Sequence, residues 1–207
     1  FADLIDAIYR EYAARFGKVR WGDKTPFYTP DIDILWNLFP GCRIIHLVRD
    51  GRDVAVSQRK IGWLSSSIPR LAEDWRWKTT VAHKVGSVLG EDFLEIRYED
   101  LVVEPETVLR CICAFLGEEF DPEMLGYHDN AGDVVPADSL RWHRNSIRPP
   151  DPSKLGTWKI KMSRADRTIY EQIAGQALEE FGYEREYLAS TFASRARALY
   201  FALIKRW

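Results

Sequence analysis

Residues 43–57 read Arg-Ile-Ile-His-Leu-Val-Arg-Asp-Gly-Arg-Asp-Val-Ala-Val-Ser, and their pattern of apolar and charged residues is the strongest indication of the fold. The apolar run from Ile44 to Val48 is short and rich in β-branched residues, as expected for a strand buried on both faces of a parallel sheet. Gly51 permits a sharp turn after the strand. Val54-Ala55-Val56 then begins a helix that folds back over the sheet. The stretch therefore predicts a strand, a charged tight turn and a helix.

The charged turn in this stretch indicates a phosphate site. A strand-to-helix turn points backbone N–H groups and the positive end of the helix dipole beyond the carboxyl edge of the sheet. Arg49 and Arg52 lie at the turn, and the Ser57 hydroxyl follows along the helix. The alternative is that the arginines and aspartates pair with each other and cap the helix. The spacing alone does not choose between the two.

A wider stretch around the turn resembles a known family. Residues 22–57, from Gly-Asp-Lys-Thr-Pro through Leu-Phe-Pro-Gly-Cys to the turn, are similar to the sulfotransferases that use 3'-phosphoadenosine-5'-phosphosulfate (PAPS). The likeness continues in Arg-Tyr-Glu-Asp-Leu at 97–101, Phe-Leu-Gly at 115–117 and Gly-Thr-Trp-Lys at 156–159. Among the subgroups, the chain most resembles bacterial enzymes related to tyrosylprotein sulfotransferases. The resemblance implies a three-layer α/β/α fold with a central, mostly parallel sheet, like that of the P-loop NTPases.

The resemblance also implies a reaction and the residues that serve it. A sulfuryl group would pass from PAPS to a hydroxyl or amine, leaving 3'-phosphoadenosine-5'-phosphate (PAP), with fixed cations that neutralise the leaving phosphate. Lys24 matches the family's Lys-Thr-Pro motif and is expected to contact the leaving-group oxygen. The alternative for Lys24 is a surface salt bridge with Asp23. Arg49 and Ser57 match the 3'-phosphate site, where a guanidinium and a hydroxyl share the phosphate oxygens.

Three further residues complete the expected nucleotide site. Arg52 lies in the same turn as Arg49. Tyr98 falls where relatives place a nucleotide-contacting tyrosine, although a tyrosine at a strand end also serves in packing. Lys154 lies near the loop expected to close over PAPS.

His46 is expected to be a packed core histidine, because its strand neighbours are apolar. The alternative is that it acts as a catalytic base.

The rest of the chain alternates helices and strands. Residues 2–16 form an amphipathic helix, and a short strand at 18–22 is expected to deliver Lys24 to a loop closed by Pro26. Residues 60–69 are expected to form a surface loop. Residues 130–155 are rich in basic residues and are expected to lack regular structure. They are expected to form either a lid over an anionic ligand or a solvated connection. The resemblance favours the lid.

One departure from the family pattern bears on function. The family's 5'-phosphosulfate loop, Gly-x-Pro-Arg-Ser-Gly-Thr, is expected before residue 1. The chain is therefore expected to be the C-terminal part of a longer enzyme, whose preceding part supplies that loop and the catalytic base. The alternatives are a short paralogue that acts as a non-catalytic nucleotide-binding or interaction module, and a P-loop kinase. The kinase lacks support because no Gly-x4-Gly-Lys-Ser/Thr motif occurs.

Composition sets the remaining expectations. The 207 residues are expected to form a single domain, and the net charge of -2 gives no global attraction to nucleic acid. The 3 cysteines show neither a disulfide framework nor metal-ligand spacing, so we expect a cytoplasmic protein without a metal. The basic, apolar segment after Glu186 is expected to pack on the domain, with contact to an anionic membrane surface as the alternative. The acceptor stays open among glycans, peptides, lipids and small phenols.

Overall fold

Two parallel strands lie at the centre of the part of the chain that the structure describes. The structure is a computed structural model, and it describes residues 1–61, 67–129 and 148–186. Strand β1 (Ile44–Val48) pairs with strand β2 (Phe93–Arg97), so that Ile44 lies opposite Phe93 and Val48 opposite Arg97. Helices connect the two strands, as a parallel pair requires. The α/β class predicted from the sequence is confirmed.

Helices make up most of the regular structure of the described segments. The α-helices of the described segments are α1 (Ala2–Arg15), α2 (Ile32–Leu38), α3 (Gly51–Ile61), α4 (Ile68–Leu89), α5 (Tyr98–Val103), α6 (Pro105–Leu116), α7 (Trp158–Lys161) and α8 (Arg164–Glu180). Short 3-10 helices cover Pro26–Asp31, Gly90–Asp92, Pro122–Gly126 and Pro152–Lys154. Helix α6 ends at Gly117, whose φ of 71° is left-handed, and the Ser163 hydroxyl accepts the Asp166 N–H at 3.1 Å to cap α8.

The hydrophobic core lies between one face of β1 and the helices α3, α4, α7 and α8. Its members are Val48, Ala55, Ile68, Leu71, Ala72, Trp75, Trp158, Met162, Ile169, Tyr170, Ala174, Ala177, Leu178, Phe181 and Tyr183. On β1, His46 and Val48 are buried, whereas Ile45 and Leu47 are 38% and 47% exposed. The sequence predicts that the strand is buried on both faces. Within the described residues, only the face that carries His46 and Val48 is buried.

Gly51 is required for a reason other than the one predicted. It is the first residue of α3 and is not among the glycines with positive φ. A Cβ at this position would overlap the Trp75 ring and the Tyr170 hydroxyl. The close approach of α3 to α4 and α8, rather than an unusual backbone angle, therefore demands glycine at residue 51.

Residues 18–22 do not form the predicted strand. They lack regular secondary structure, and Trp21 instead packs on α1. The Trp21 ring stacks on Tyr9 with a centroid distance of 4.5 Å, and its Nε1 donates to Asp6 at 2.8 Å. These contacts hold the segment against a helix, which favours side-chain packing over strand pairing.

Several predictions concern residues outside the described part of the chain. Residues 130–147 of the expected lid, residues 62–66 of the surface loop and the segment 187–207 belong to this group. The single-domain assignment stays a prediction. Within the described ranges, no helix combines the length and the apolar character needed to cross a membrane.

Candidate functional site

The carboxyl ends of β1 and β2 are tied together by one carboxylate. The Asp50 N–H, just after β1, donates to Glu99 Oε1 at 3.0 Å. The other oxygen of Glu99, which lies in the first turn of α5, accepts the Tyr183 hydroxyl at 2.8 Å. Burial, followed by the charge of Glu99, raises the pKa of Tyr183, so this hydroxyl stays a donor. The two strand ends therefore form one fixed edge.

Arg49 lies at that edge with its backbone held and part of its guanidinium unpaired. The Trp75 Nε1 donates to the Arg49 carbonyl at 3.0 Å. The guanidinium carbon lies 4.6 Å from the centre of the Tyr98 ring, which is a cation–π arrangement. Its side chain is 29% exposed, and its buried Nε has no hydrogen-bond partner in the described residues. Arg49 thus presents a cation with unused donors, as an anion site requires.

Arg52, which the sequence grouped with Arg49, points into the interior. Its side chain is 2% exposed, and it bonds Asp50 at 2.8 and 3.0 Å and Glu171 at 2.7 Å. Its guanidinium carbon lies 3.6 Å from the centre of the Trp158 ring. Burial opposes the charge, but the hydrogen bonds and charges of Asp50 and Glu171 outweigh it and raise the pKa of Arg52. This geometry favours a structural role for Arg52 over the predicted nucleotide contact.

The N–H groups expected to bind an anion at this turn are partly used within the protein. Asp50 Oδ1 accepts the Arg52 N–H at 2.9 Å, and the Asp50 N–H goes to Glu99. Self-capping of the helix, which the sequence left as an alternative, therefore holds for Asp50 and Arg52. Arg49 remains as the residue of the turn that can meet a ligand.

A buried aspartate in α3 joins the turn to a distant segment. Asp53 has a fully buried side chain. Its carboxylate accepts the N–H groups of Gly156 and Trp158 and the Thr157 hydroxyl, at 2.8, 2.9 and 3.0 Å. Arg49 Nη2 lies 3.8 Å from the same carboxylate. The Gly-Thr-Trp-Lys motif is therefore held beside Arg49.

Ser57 and Lys154 lie on elements that adjoin this edge. Ser57 is exposed on α3, one turn after Asp53 and on the same helix face. Lys154 closes the 3-10 helix Pro152–Lys154, which packs against α5, and its side chain is 49% exposed and 3.6 Å from Asp151. Tyr98, which contacts the Arg49 guanidinium, is the first residue of the same helix α5.

Lys24 stands apart from these residues. It is exposed and precedes the 3-10 helix Pro26–Asp31, which packs against α4. Among the described residues no carboxylate lies within salt-bridge distance of Lys24, so the alternative of a pair with Asp23 is absent there. Its role stays a prediction.

His46 is a core histidine held by a carboxylate. It is 8% exposed, and its Nδ1 lies 3.1 Å from Glu95 Oε2, while His83 Nδ1 lies 3.1 Å from Glu95 Oε1. Burial raises the pKa of Glu95, but the hydrogen bonds and charges of the two histidines outweigh it and lower that pKa. This arrangement fits the interpretation of His46 as a packed core histidine.

In the described segments no group of 3 or more His, Cys, Asp or Glu side chains is arranged to hold a metal ion.

Sequence reasoning missed three carboxylates that build the site, namely Asp53, Glu99 and Glu171. One of them left a readable signal. Glu171 shares a stripe of α8 with Ala174, Gly175 and Leu178, at spacings of three, four and seven, so it interrupts an otherwise small and apolar face. A charge on such a stripe indicates a buried partner. Asp53 and Glu99 lie within charged turns, where the pattern gives no sign of burial.

Comparison with known proteins agrees with this architecture. The model of the sulfotransferase family matches residues 1–122. A protein-tyrosine sulfotransferase of Drosophila melanogaster is 28% identical over 130 residues, covering 58% of this chain and 26% of that protein. The nodulation protein NoeE of Sinorhizobium fredii is 28% identical over 208 residues, covering 87% of this chain and 48% of that protein.

A solved structure has the same fold. The sulfotransferase domain of the Synechococcus PCC 7002 olefin synthase superposes with a TM-score of 0.69 at 28% identity, covering 88% of this chain and 64% of that chain. The chain thus spans less than two thirds of the length of these relatives. Because the family match extends over more than half of its residues, and the strand, turn and helix of the site fall within the matched part, the chain belongs to the sulfotransferase family.

Proposed function

We propose that this chain binds PAPS and serves an enzyme that transfers its sulfuryl group to an acceptor, leaving PAP. The observation that carries the proposal is Arg49: a half-buried cation at the carboxyl edge of the sheet, with its backbone fixed and its Nε unpaired in the described residues. Ligands of open α/β folds bind at this edge. The 3'-phosphate of the nucleotide is the group that we assign to Arg49.

The residues around Arg49 suit a phosphate. A guanidinium presents five donors, and the contact of its carbon with the Tyr98 ring, at 4.6 Å from the ring centre, gives none of them an oxygen acceptor. Asp53 is too far from Arg49 Nη2, at 3.8 Å, to use those donors fully. Ser57 adds a hydroxyl one turn after Asp53. A doubly charged phosphate would therefore find both a cation and neutral donors.

The proposed reaction is an in-line displacement at sulfur. The acceptor oxygen forms a bond to sulfur while the bond from sulfur to the 5'-phosphate oxygen breaks, and the acceptor proton passes to a base. Charge develops on the leaving phosphate, where a fixed cation stabilises the transition state. We assign that cation to Lys24. His46 does not suit the role of base because it is buried against Glu95.

The acceptor class is proposed from the relatives. Several matched proteins are named protein-tyrosine sulfotransferases, so a tyrosine hydroxyl in a peptide is the first acceptor to test. Glycans, lipids and small phenols are the other arms of the test.

The three cysteines are unpaired, and a cytoplasmic location stays a prediction.

A labelled-donor assay tests the proposed function. The full-length protein is incubated with PAPS carrying labelled sulfur and with one acceptor of each class. We expect label in one class and an equal amount of PAP, with both lost on Arg49→Ala. Tight binding of PAP without transfer to any acceptor would instead support the nucleotide-binding module. Absence of both binding and transfer would contradict the proposal.

A further inference from the structure

Asp53 is a fully buried carboxylate that connects two distant parts of the chain. One of its oxygens accepts the Thr157 hydroxyl and the Trp158 N–H, at 3.0 and 2.9 Å. The other accepts the Gly156 N–H at 2.8 Å and faces Arg49 Nη2 at 3.8 Å. A single oxygen atom therefore lies between the cation of the proposed site and the backbone of the Gly-Thr-Trp-Lys motif.

These bonds are not those of an ordinary helix cap. Although Asp53 lies in the first turn of α3, the capping carboxylate there is Asp50, which accepts the Arg52 N–H at 2.9 Å. Asp53 is thus free to bond outside its own helix. Burying a carboxylate is costly unless its lone pairs are filled, so the three donors from Gly156, Thr157 and Trp158 hold it firmly in place.

The segment that Asp53 holds is the one that carries Lys154. The 3-10 helix Pro152–Lys154 ends two residues before Gly156 and packs against α5. Helix α5 begins with Tyr98, whose ring makes the cation–π contact with Arg49. The turn is therefore held by Asp53 at its C-terminal end and also contacts α5.

Gly156 allows this attachment through its backbone. Its φ of 65° is left-handed, and a Cβ there would meet no atom within 4 Å. The conformation, and not a lack of space, thus requires glycine. It turns the Gly156 N–H toward Asp53 while the chain continues into α7, where Trp158 is 3% exposed.

We propose that Asp53 is a positioning residue for the nucleotide: it fixes the 152–158 turn relative to Arg49, so that both face the same 3'-phosphate. This inference rests on the proposed function. Asp53 itself does not touch the ligand in this arrangement. Asp53 sets the distance between Arg49 and the 152–158 turn, which both face the ligand. Its charge also orients the Arg49 guanidinium without occupying the donors of that group.

Asp53→Asn tests the proposal in the 207-residue chain. One amide oxygen can still accept from Thr157 and Trp158, but an NH₂ group then faces the Gly156 N–H and Arg49, which are both donors. We expect the affinity for PAP to fall about 10-fold, and that for 5'-AMP, which lacks the 3'-phosphate, to change less than about 2-fold. Calorimetry measures the dissociation constants of PAP and of 5'-AMP for the folded fraction of the protein.

Two further variants separate positioning from stability. Thr157→Val removes one donor to Asp53 and leaves its charge, so the PAP affinity should fall about 3-fold, without adding to the effect of Asp53→Asn in the double variant. Ser163→Ala removes the cap of α8 and is the matched control: it should lower the melting temperature while preserving the ratio of the PAP and AMP affinities.

The outcomes are distinct. If the wild-type chain does not prefer PAP to AMP, the proposed function fails and the inference fails with it. If it does, and Asp53→Asn leaves the ratio of affinities unchanged or lowers both affinities equally, the inference alone is overturned. If Asp53→Asn does not fold, Thr157→Val decides by the same ratio. Faster hydrogen exchange at the amides of Gly156 and Trp158 in Asp53→Asn is expected as a readout independent of ligand.

Discussion

The guanidinium of Arg49 lies 4.6 Å from the centre of the Tyr98 ring. The two residues directly follow β1 and β2, which are adjacent parallel strands. The contact therefore joins the two strand ends in front of the carboxyl edge of the sheet. The Arg49 Nε has no hydrogen-bond partner among the described residues. In our account, this pair is the foundation of the nucleotide site.

The first prediction concerns the ring of Tyr98. Tyr98→Ala removes the surface that orients Arg49, and since a cation–π contact contributes about 0.5–2 kcal/mol, the PAP affinity should fall about 2- to 30-fold. Tyr98→Phe keeps the ring and should bind within about 2-fold of the wild type if stacking is the whole role. Calorimetry measures both, with Tyr9→Ala as the control on α1. Unchanged affinity in Tyr98→Ala would contradict the account.

The second prediction concerns Lys24 in the full-length enzyme. If its ammonium stabilises charge on the leaving oxygen, Lys24→Ala should lower kcat by about 100-fold or more with a smaller change in PAPS affinity. Lys18→Ala, which removes another exposed lysine of the same segment, is the matched control. Normal turnover in Lys24→Ala would show that Lys24 is an ordinary surface charge.

The third prediction concerns the stability of the fold at Arg52. Arg52→Ala leaves the carboxylates of Asp50 and Glu171 buried without their cation, so it should lower the free energy of unfolding by about 3–5 kcal/mol. Arg59→Ala removes the half-exposed pair with Asp166 and should cost less than about 1 kcal/mol. Urea unfolding compares the two. Equal losses would argue against the structural role of Arg52.

The fourth prediction is a dependence of stability on pH through Glu95. The pKa of Glu95 in the folded protein lies below its ordinary value of 4.5. Its ionised form therefore stabilises the fold above about pH 4.5, and this contribution is lost as the pH falls through the lowered pKa. The urea midpoint of the wild type should drop more steeply between pH 6 and 3 than that of Glu95→Gln. Parallel curves for the two proteins would overturn this prediction.

Local signals in the sequence were sufficient for much of the fold. The apolar run at 44–48 predicts β1, and the Val54-Ala55-Val56 run after the charged turn predicts α3. These signals act over a few residues, where backbone angles and hydrogen bonds are set by neighbours in the chain. The strand predicted at 18–22 is wrong because Trp21 finds a partner on α1, which its own segment does not reveal.

The rest of the site depends on contacts over long distances in the sequence. Asp53 meets Gly156, 103 residues away, and Arg52 meets Glu171, 119 residues away. Arg49 and Arg52 are alike in sequence, yet one lies at the edge and the other is buried. Residue type reports charge, whereas burial follows from the packing of α3 against α8, so the sequence alone could not tell these two arginines apart.

We propose that Arg49 holds the 3'-phosphate, and calorimetric titration of the 207-residue chain with PAP and with 5'-AMP tests this assignment. We expect that the wild type prefers PAP, that Arg49→Ala weakens PAP binding by about 2–4 kcal/mol, and that Ser57→Ala weakens it by about 1 kcal/mol. AMP binding should be nearly unchanged in both variants. Equal affinity of the wild type for the two nucleotides would contradict the claim.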